Sequence, residues 1–266
     1  MRSSGIDRIR TRIDAMRREK AIGIMTHTVA GYPTLPACER AVTTMDSHGA
    51  DFIELQIPFS DPVADGPVIL NANHKALDAG MTVRRCFSFA RRIHASVSAP
   101  LLFITYANIP FTYGIDAFCR DAAASGAAGI IVPDLPYDDA EGLYEAALRH
   151  GISAVPVISE VTSAERISAI DRIATGFIYV TSRLWVTGGS GMRAGITDFL
   201  DKARSITEKP LAVGFGIRRT ADVSTLVSHA DIAVIGSHLL TLAGGKAGGS
   251  RMASFLDSVH LPLQKK

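Results

Sequence analysis

Glu54 stands in the run Phe52-Ile-Glu-Leu-Gln-Ile57. On an extended strand successive side chains point to opposite faces, so Phe52, Glu54 and Gln56 share one face while Ile53, Leu55 and Ile57 share the other. Burial without a partner disfavours the charged form of a carboxyl group, which is how such groups become usable proton donors and acceptors near neutrality. A glutamate ion-paired with a Lys or Arg is the alternative for this position. The loop that follows carries Asp61, Asp65 and three prolines, Pro58, Pro62 and Pro67, which restrict its conformations. Its aspartates either do chemistry or cap turn amides, and spacing does not choose between these.

Three glycine-containing segments have the chemistry of an anion cradle: Gly214-Phe-Gly216-Ile-Arg, Gly236-Ser237-His and Gly188-Gly-Ser-Gly191. Glycine lets backbone N–H groups come close to an anion, and a helix amino terminus adds unpaired donors and partial positive charge. Together they point to phosphate.

These side chains need a scaffold, and short β-branched runs alternating with amphipathic segments supply one. The strands read as Ile22 to Thr28, Phe52 to Ile57, Pro100 to Tyr106, Gly129 to Val132, Ser153 to Val157, Phe177 to Thr181, Pro210 to Val213 and Ile232 to Ile235. Helices are predicted near Pro36 to His48, Thr82 to Val97, Gly114 to Ser125, Ala140 to His150, Ser163 to Ala174, Ile196 to Ile206, Thr220 to His229 and Met252 to Val259. A short helix is expected at Gly236-Ser237-His. Regular β-then-α order requires parallel strands, and the chain's 266 residues match the roughly 250 of one (β/α)8 barrel. The expected fold class is therefore α/β, a single (β/α)8 TIM barrel over residues 1–266, with a doubly wound open sheet as runner-up. An extra N-terminal helix, with Ile6, Ile9, Ile13 and Met16 on one face, is placed to cover the bottom of the barrel. In this fold functional groups collect at the carboxyl end of the strands and on the loops that follow; Glu54 lies near the end of its strand, and Asp65 and the glycine segments lie on such loops. Ala243 to Ser250 is Gly-rich and is expected to be mobile.

Hydrophobic residues make up 47% and charged residues 20%, the balance of a globular chain with a sizeable core. A formal charge of +2, with basic residues dispersed among acidic ones, argues against a nucleic-acid partner. No stretch has the roughly 18 apolar residues of a membrane span, and the first segment is not a secretory signal. Cys38, Cys86 and Cys119 are widely separated and lack metal-ligand spacing, so they read as small buried hydrophobes in a reducing cytoplasm, with no metal site.

The segment Glu54-Leu-Gln-Ile-Pro-Phe-Ser-Asp-Pro-Val-Ala-Asp65-Gly-Pro-Val-Ile resembles the signature of the tryptophan synthase alpha subunit family. Supporting matches, in the family's order, are Tyr106-Ala-Asn108, Pro133-Asp134-Leu-Pro136, Tyr179 with Ser182-Arg183, Val186-Thr187-Gly188, Gly214-Phe-Gly216-Ile and Gly236-Ser237. The resemblance covers nearly the whole chain. It implies a lyase that splits indole-3-glycerol phosphate by retro-aldol chemistry into indole and glyceraldehyde 3-phosphate, in tryptophan biosynthesis. Glu54 would move the protons, Asp65 would face the indole N–H, and Tyr179 would orient Glu54 or the substrate hydroxyl, with a packed core tyrosine as its alternative. Tyr106, Thr187, Gly188, Gly216, Gly236 and Ser237 would hold substrate and phosphate, Thr187 meeting Asp65 when the segment after strand six closes. No cofactor is implied for this chain. A pyridoxal-phosphate-dependent beta subunit is implied as its partner in an alpha2beta2 assembly, with Pro58, Asp61 and their loop near the interface.

Four positions or segments depart from the family's pattern beside the site. Gln56 replaces Gly, where it would fill space or hydrogen-bond Glu54; His27 takes a usually aromatic or apolar place; and Leu184-Trp185 stands for Ala-Gly. Val29-Ala-Gly-Tyr32-Pro also replaces Thr-Ala-Gly-Asp-Pro. His27 reads as an added proton carrier or as a hydrogen-bonded structural histidine. Two further readings follow from these pocket modifiers: a lyase for a related phosphorylated substrate, and a catalytically weak activator of a beta partner.

Overall fold

The computed structural model describes residues 3–19, 21–181, 195–214, 216–244 and 247–261. Its strands are β1 (Gly23–Val29), β2 (Phe52–Gln56), β3 (Leu101–Ile104), β4 (Ala127–Ile131), β5 (Ser153–Val155), β6 (Val157–Ser159), β7 (Ile178–Thr181), β8 (Leu211–Val213) and β9 (Ile232–Ile235). Each pairs in parallel with its neighbours, in the order β5-β4-β3-β2-β1-β9-β8-β7-β6. The two ends of this order are consecutive in the chain, joined at Pro156, so the sheet comes round into the expected (β/α)8-type barrel.

The fifth expected strand, Ser153 to Val157, is thus two pieces, a correction with a local cause. Proline has no N–H to give a ladder, and the Pro156 carbonyl instead accepts from the Tyr179 amide at 2.9 Å. β5 accordingly pairs with β4, while β6 pairs with β7.

Alternation along the strands divides the core in two. Met25, Phe52, Leu102, Ile131, Phe177, Ala212 and Val234 fill the barrel, whereas Ile24, Ile53, Leu55, Phe103 and Val180 pack outward against helices. Phe52 and Phe177 meet inside the barrel with ring centroids 5.6 Å apart. Burying one such side chain stabilises by about 1.5–3 kcal/mol.

The helix Gly5–Glu19 adds Ile9, Ile13 and Met16 to that interior cluster, so it closes the barrel's lower end as expected. Asp51 fastens it: one carboxylate oxygen accepts from the Ile24 amide at 2.6 Å and the other from Arg12 of the helix. The outer helices begin where caps are available. Thr34, Thr82 and Ser163 accept from the amides of Ala37, Arg85 and Arg166 at the starts of Leu35–Ser47, Val83–His94 and Ala164–Ile173.

Two helices add to the predicted set, Pro67–Asp78 and Asn108–Tyr113. Pro67 opens the first, a place where a missing N–H has no cost. The Gly-rich stretch expected to be mobile is partly helical, since Gly248–Val259 begins within it. A Cβ at Gly248 would lie 2.5 Å from the Ala243 carbonyl oxygen, so only glycine allows that approach. Cys38, Cys86 and Cys119 are buried free thiols. Among the described residues no helix is long and apolar enough to cross a membrane.

Candidate active site

The β1–β2 register sets the first relation in the site. His27 is aligned with Glu54 across the two strands, and its Nδ1 lies 3.0 Å from Glu54 Oε2. Glu54 is 1% exposed and His27 4% exposed, so their contact is shielded from water. The partner of Glu54 is an imidazole, not the Lys or Arg that the structural alternative required. Glu54 Oε1 and His27 Nε2 are buried and have no hydrogen-bond partner among the described residues. A carboxylate held by one oxygen with the other unengaged is suited to exchange a proton with a ligand.

Tyr179 approaches the same carboxylate from β7. Burial above all, and the Glu54 carboxylate that the hydroxyl faces, raise the tyrosine's pKa well above its ordinary value, so the hydroxyl stays protonated and available as a donor. Tyr179 also belongs to the interior apolar cluster, so the packed ring and the polar tip are two parts of one role. Gly214, just past β8, keeps the space for this hydroxyl: a Cβ there would sit 3.2 Å from Tyr179 Oη.

Asp65 reaches the site from the loop after β2. Its Oδ2 accepts from Gln56 Nε2 at 2.7 Å. Gln56 therefore binds Asp65 and not Glu54, a correction to one of the two expectations for it; Glu54 is engaged across the strands by His27. Burial raises the Asp65 pKa above the usual carboxylate value, opposed by the Gln56 bond, positive charge on His27 and the Tyr106 hydroxyl. Tyr106 also accepts from the Ala64 amide at 3.1 Å and stacks on Phe59 at 5.3 Å between centroids. Burial and the Asp65 charge raise the Tyr106 pKa, leaving its hydroxyl a donor.

Asp134 supports that wall, accepting from the Ala107 amide at 2.9 Å. Phe59, Asp134 and Gly214 were not singled out as site residues by sequence reading, although each sits in a motif that was. Asp61 is exposed and accepts from Ser60 Oγ at 2.6 Å.

Two of the glycine segments expected to receive an anion follow β8 and β9. Gly216 has φ of +59°, a left-handed turn conformation that favours glycine. Gly236 precedes the helix Ser237–Leu242, whose first amides have no helical carbonyl to bind. An added Cβ at Gly236 would be 3.6 Å from His27 Cβ, which places the start of this helix beside the histidine that holds Glu54. Gly214, Tyr179, Glu54, His27 and Gly236 thus form one continuous series of contacts around the upper barrel.

Trp185, Thr187, Gly188 and the rest of Gly188-Gly-Ser-Gly191 lie outside the described residues. Among the described residues no group of three or more His, Cys, Asp or Glu side chains is arranged to hold a metal ion.

Comparison with known proteins gives a consistent relationship. The model of the family described as "Tryptophan synthase alpha chain" matches residues 13–255. The tryptophan synthase alpha chain of Syntrophotalea carbinolica is 44% identical over 243 residues, covering 91% of this chain and 96% of that one. That of Desulfotalea psychrophila is 43% identical over 242 residues, covering 90% and 95%. Among solved structures, Mycobacterium tuberculosis tryptophan synthase superimposes with a TM-score of 0.87 at 29% identity, over 97% of each chain. Tryptophan synthase subunit alpha from Legionella pneumophila gives 0.87 at 27% identity, over 95% and 96%.

Proposed function

The chain belongs to the tryptophan synthase alpha chain family, a lyase family of tryptophan biosynthesis, and from that premise we propose how its own residues divide the cleavage of indole-3-glycerol phosphate. The observation that carries the reading is the placement of two carboxylates in different settings. Glu54 is buried and held by one oxygen, and Asp65 is suspended from a loop beside it.

Breaking the carbon-carbon bond requires indole carbon 3 to gain a proton and the adjacent side-chain hydroxyl to lose one. Glu54 serves both transfers through Oε1, while His27 fixes Oε2. The Tyr179 hydroxyl orients that carboxylate. As the ring becomes iminium-like its nitrogen turns positive, so the Asp65 carboxylate stabilises the transition state more than the ground state. The electrons of the broken bond remain with indole, and the hydroxyl carbon becomes the aldehyde of glyceraldehyde 3-phosphate.

Gly216, Gly236 and Ser237 receive the phosphate through backbone and hydroxyl donors, and Tyr106 shapes the wall behind Asp65. The resemblance gives Thr187 and Gly188 a part in holding the substrate and makes Trp185 a modifier of the pocket; all three lie outside the described residues. An alpha chain implies a beta-chain partner; we assign that partner pyridoxal phosphate and the receipt of indole, and place both chains in the cytoplasm as an alpha2beta2 assembly. The chain itself needs no cofactor for the chemistry above.

Indole release from indole-3-glycerol phosphate, measured with and without a beta chain, tests the reading. The intact protein should release indole, and Glu54→Gln should lose at least about two orders of magnitude, as general acid-base groups contribute. No indole under either condition refutes the assignment.

A further inference from the structure

We propose that Gln56 is a positioning residue whose side-chain N–H holds the Asp65 carboxylate over the inner face of β2 before substrate arrives. The proposal rests on the role given to Asp65 above. Gln56 is 1% exposed, follows Glu54 by two residues on the same face, and reaches Asp65 Oδ2 at 2.7 Å.

The direction of this bond follows from charge. An ionised carboxylate only accepts, so the amide must present its N–H to Asp65. Its Oε1 is then left buried without a protein partner among the described residues.

The loop has few other means of fixing Asp65. Ser60, Asp61, Val63 and Ala64 are exposed, and Val63 is 83% exposed. Among the described residues its attachments are the Phe59 amide to Asn73 at 2.9 Å, His74 Nε2 to the Ser60 carbonyl at 3.2 Å, the Ala64 amide to the Tyr106 hydroxyl at 3.1 Å, and the Asp65 bond to Gln56. Among the described residues, the hydrogen bonds that reach the Asp65 side chain itself come from Gln56 and the Tyr106 hydroxyl. A glycine at position 56, as in the family's signature, has no side-chain donor to offer. This chain therefore carries its own tether, one end on a rigid strand and the other on a mobile class of element.

The tether has an electrostatic consequence distinct from its packing. A donor to the carboxylate favours the charged form, so removing it moves the Asp65 titration to higher pH. The titratable groups that interact with Asp65 are His27 from β1, Tyr106 after β3 and Tyr179 from β7. None is altered by a change at position 56.

The test replaces Gln56→Met, which keeps the length and removes the donor, and in parallel Gln56→Gly. In the ligand-free chain the Asp65 carboxyl carbon is followed by NMR against pH, its resonance assigned through Asp65→Asn. The midpoint should be higher in both variants than in the parent. The kcat/KM for indole release should fall about tenfold at neutral pH, the factor associated with losing one hydrogen bond to a charged group, and its acid limb should move upward. If the parent releases indole and both variants match it in midpoint, kcat/KM and acid limb, the tether is refuted. If the parent releases no indole yet the midpoint moves, the reaction assignment fails and the tether stands.

Discussion

Gly214→Ala tests whether the Tyr179 hydroxyl must occupy its observed position. The new methyl group would lie 3.2 Å from Tyr179 Oη and 3.4 Å from Val234 Cβ, so the hydroxyl has to yield by a few tenths of an ångström. The ring cannot swing freely, because Tyr179 is 8% exposed and packed within the barrel's interior cluster. If a misplacement of 1 Å costs about a hundredfold, a few tenths should lower kcat by about 4- to 10-fold. Folding should survive, because overpacking costs about 1–3 kcal/mol and the loss of glycine's freedom in the unfolded chain returns about 0.4–1 kcal/mol. The assay is indole release in parent, Gly214→Ala, Tyr179→Phe and the double variant. In the Tyr179→Phe background there is no hydroxyl to displace, so the effect of Gly214→Ala should vanish. An undiminished effect in that background, or none in the parent, would refute the reasoning.

Asp65→Asn should abolish most indole release and yet raise the melting temperature at neutral pH. The folded-state pKa of Asp65 is raised by burial, so its charge opposes folding at pH above that pKa, and the penalty disappears as pH falls through it. The stabilising effect should therefore shrink on acidification, as thermal melts at a series of pH values would show. His27→Phe, which removes the donor to Glu54 Oε2, should lower kcat about tenfold, with His27→Gln retaining more; equal activity in all three proteins would remove His27 from the mechanism. Asp51→Ala leaves the Ile24 amide and Arg12 without their carboxylate, and should cost about 2–3 kcal/mol in denaturant unfolding while the folded protein keeps its kcat. A fall in kcat as large as the fall in stability would show that the lower end is coupled to the site.

The inward direction of Glu54 was legible because one residue type after another along β2 obeys a period of two, and the outer set Ile53, Leu55 and Ile57 is apolar throughout. The helix that closes the barrel was legible for the same reason, through Ile9, Ile13 and Met16 at helical spacing. Pairings between elements were not. Nothing in the spacing of residues within one strand says that His27 stands beside Glu54, because that relation is a register between β1 and β2. The bond from Gln56 to Asp65 depends on how the prolines fold the intervening loop back over the strand, and the distance in sequence gives no such direction. Pro67–Asp78 was not legible because Pro58, Pro62 and Pro67, with two aspartates among them, read as continuous loop. Its signal was the proline at a helix's first turn, followed by a run free of further prolines. The division at Pro156 is the ordinary price of a residue without an N–H.

The closing helix at Gly5–Glu19 precedes in the chain every strand that it touches. The interior cluster it joins includes Phe52, Ala128, Phe177 and Val234, residues spread across the length of the barrel. Ile9, Ile13 and Met16 therefore have no complete surface to bury against until distant segments have met, and their pairing is costly in loop closure. Full burial of that helix face thus requires the ring above it to be closed.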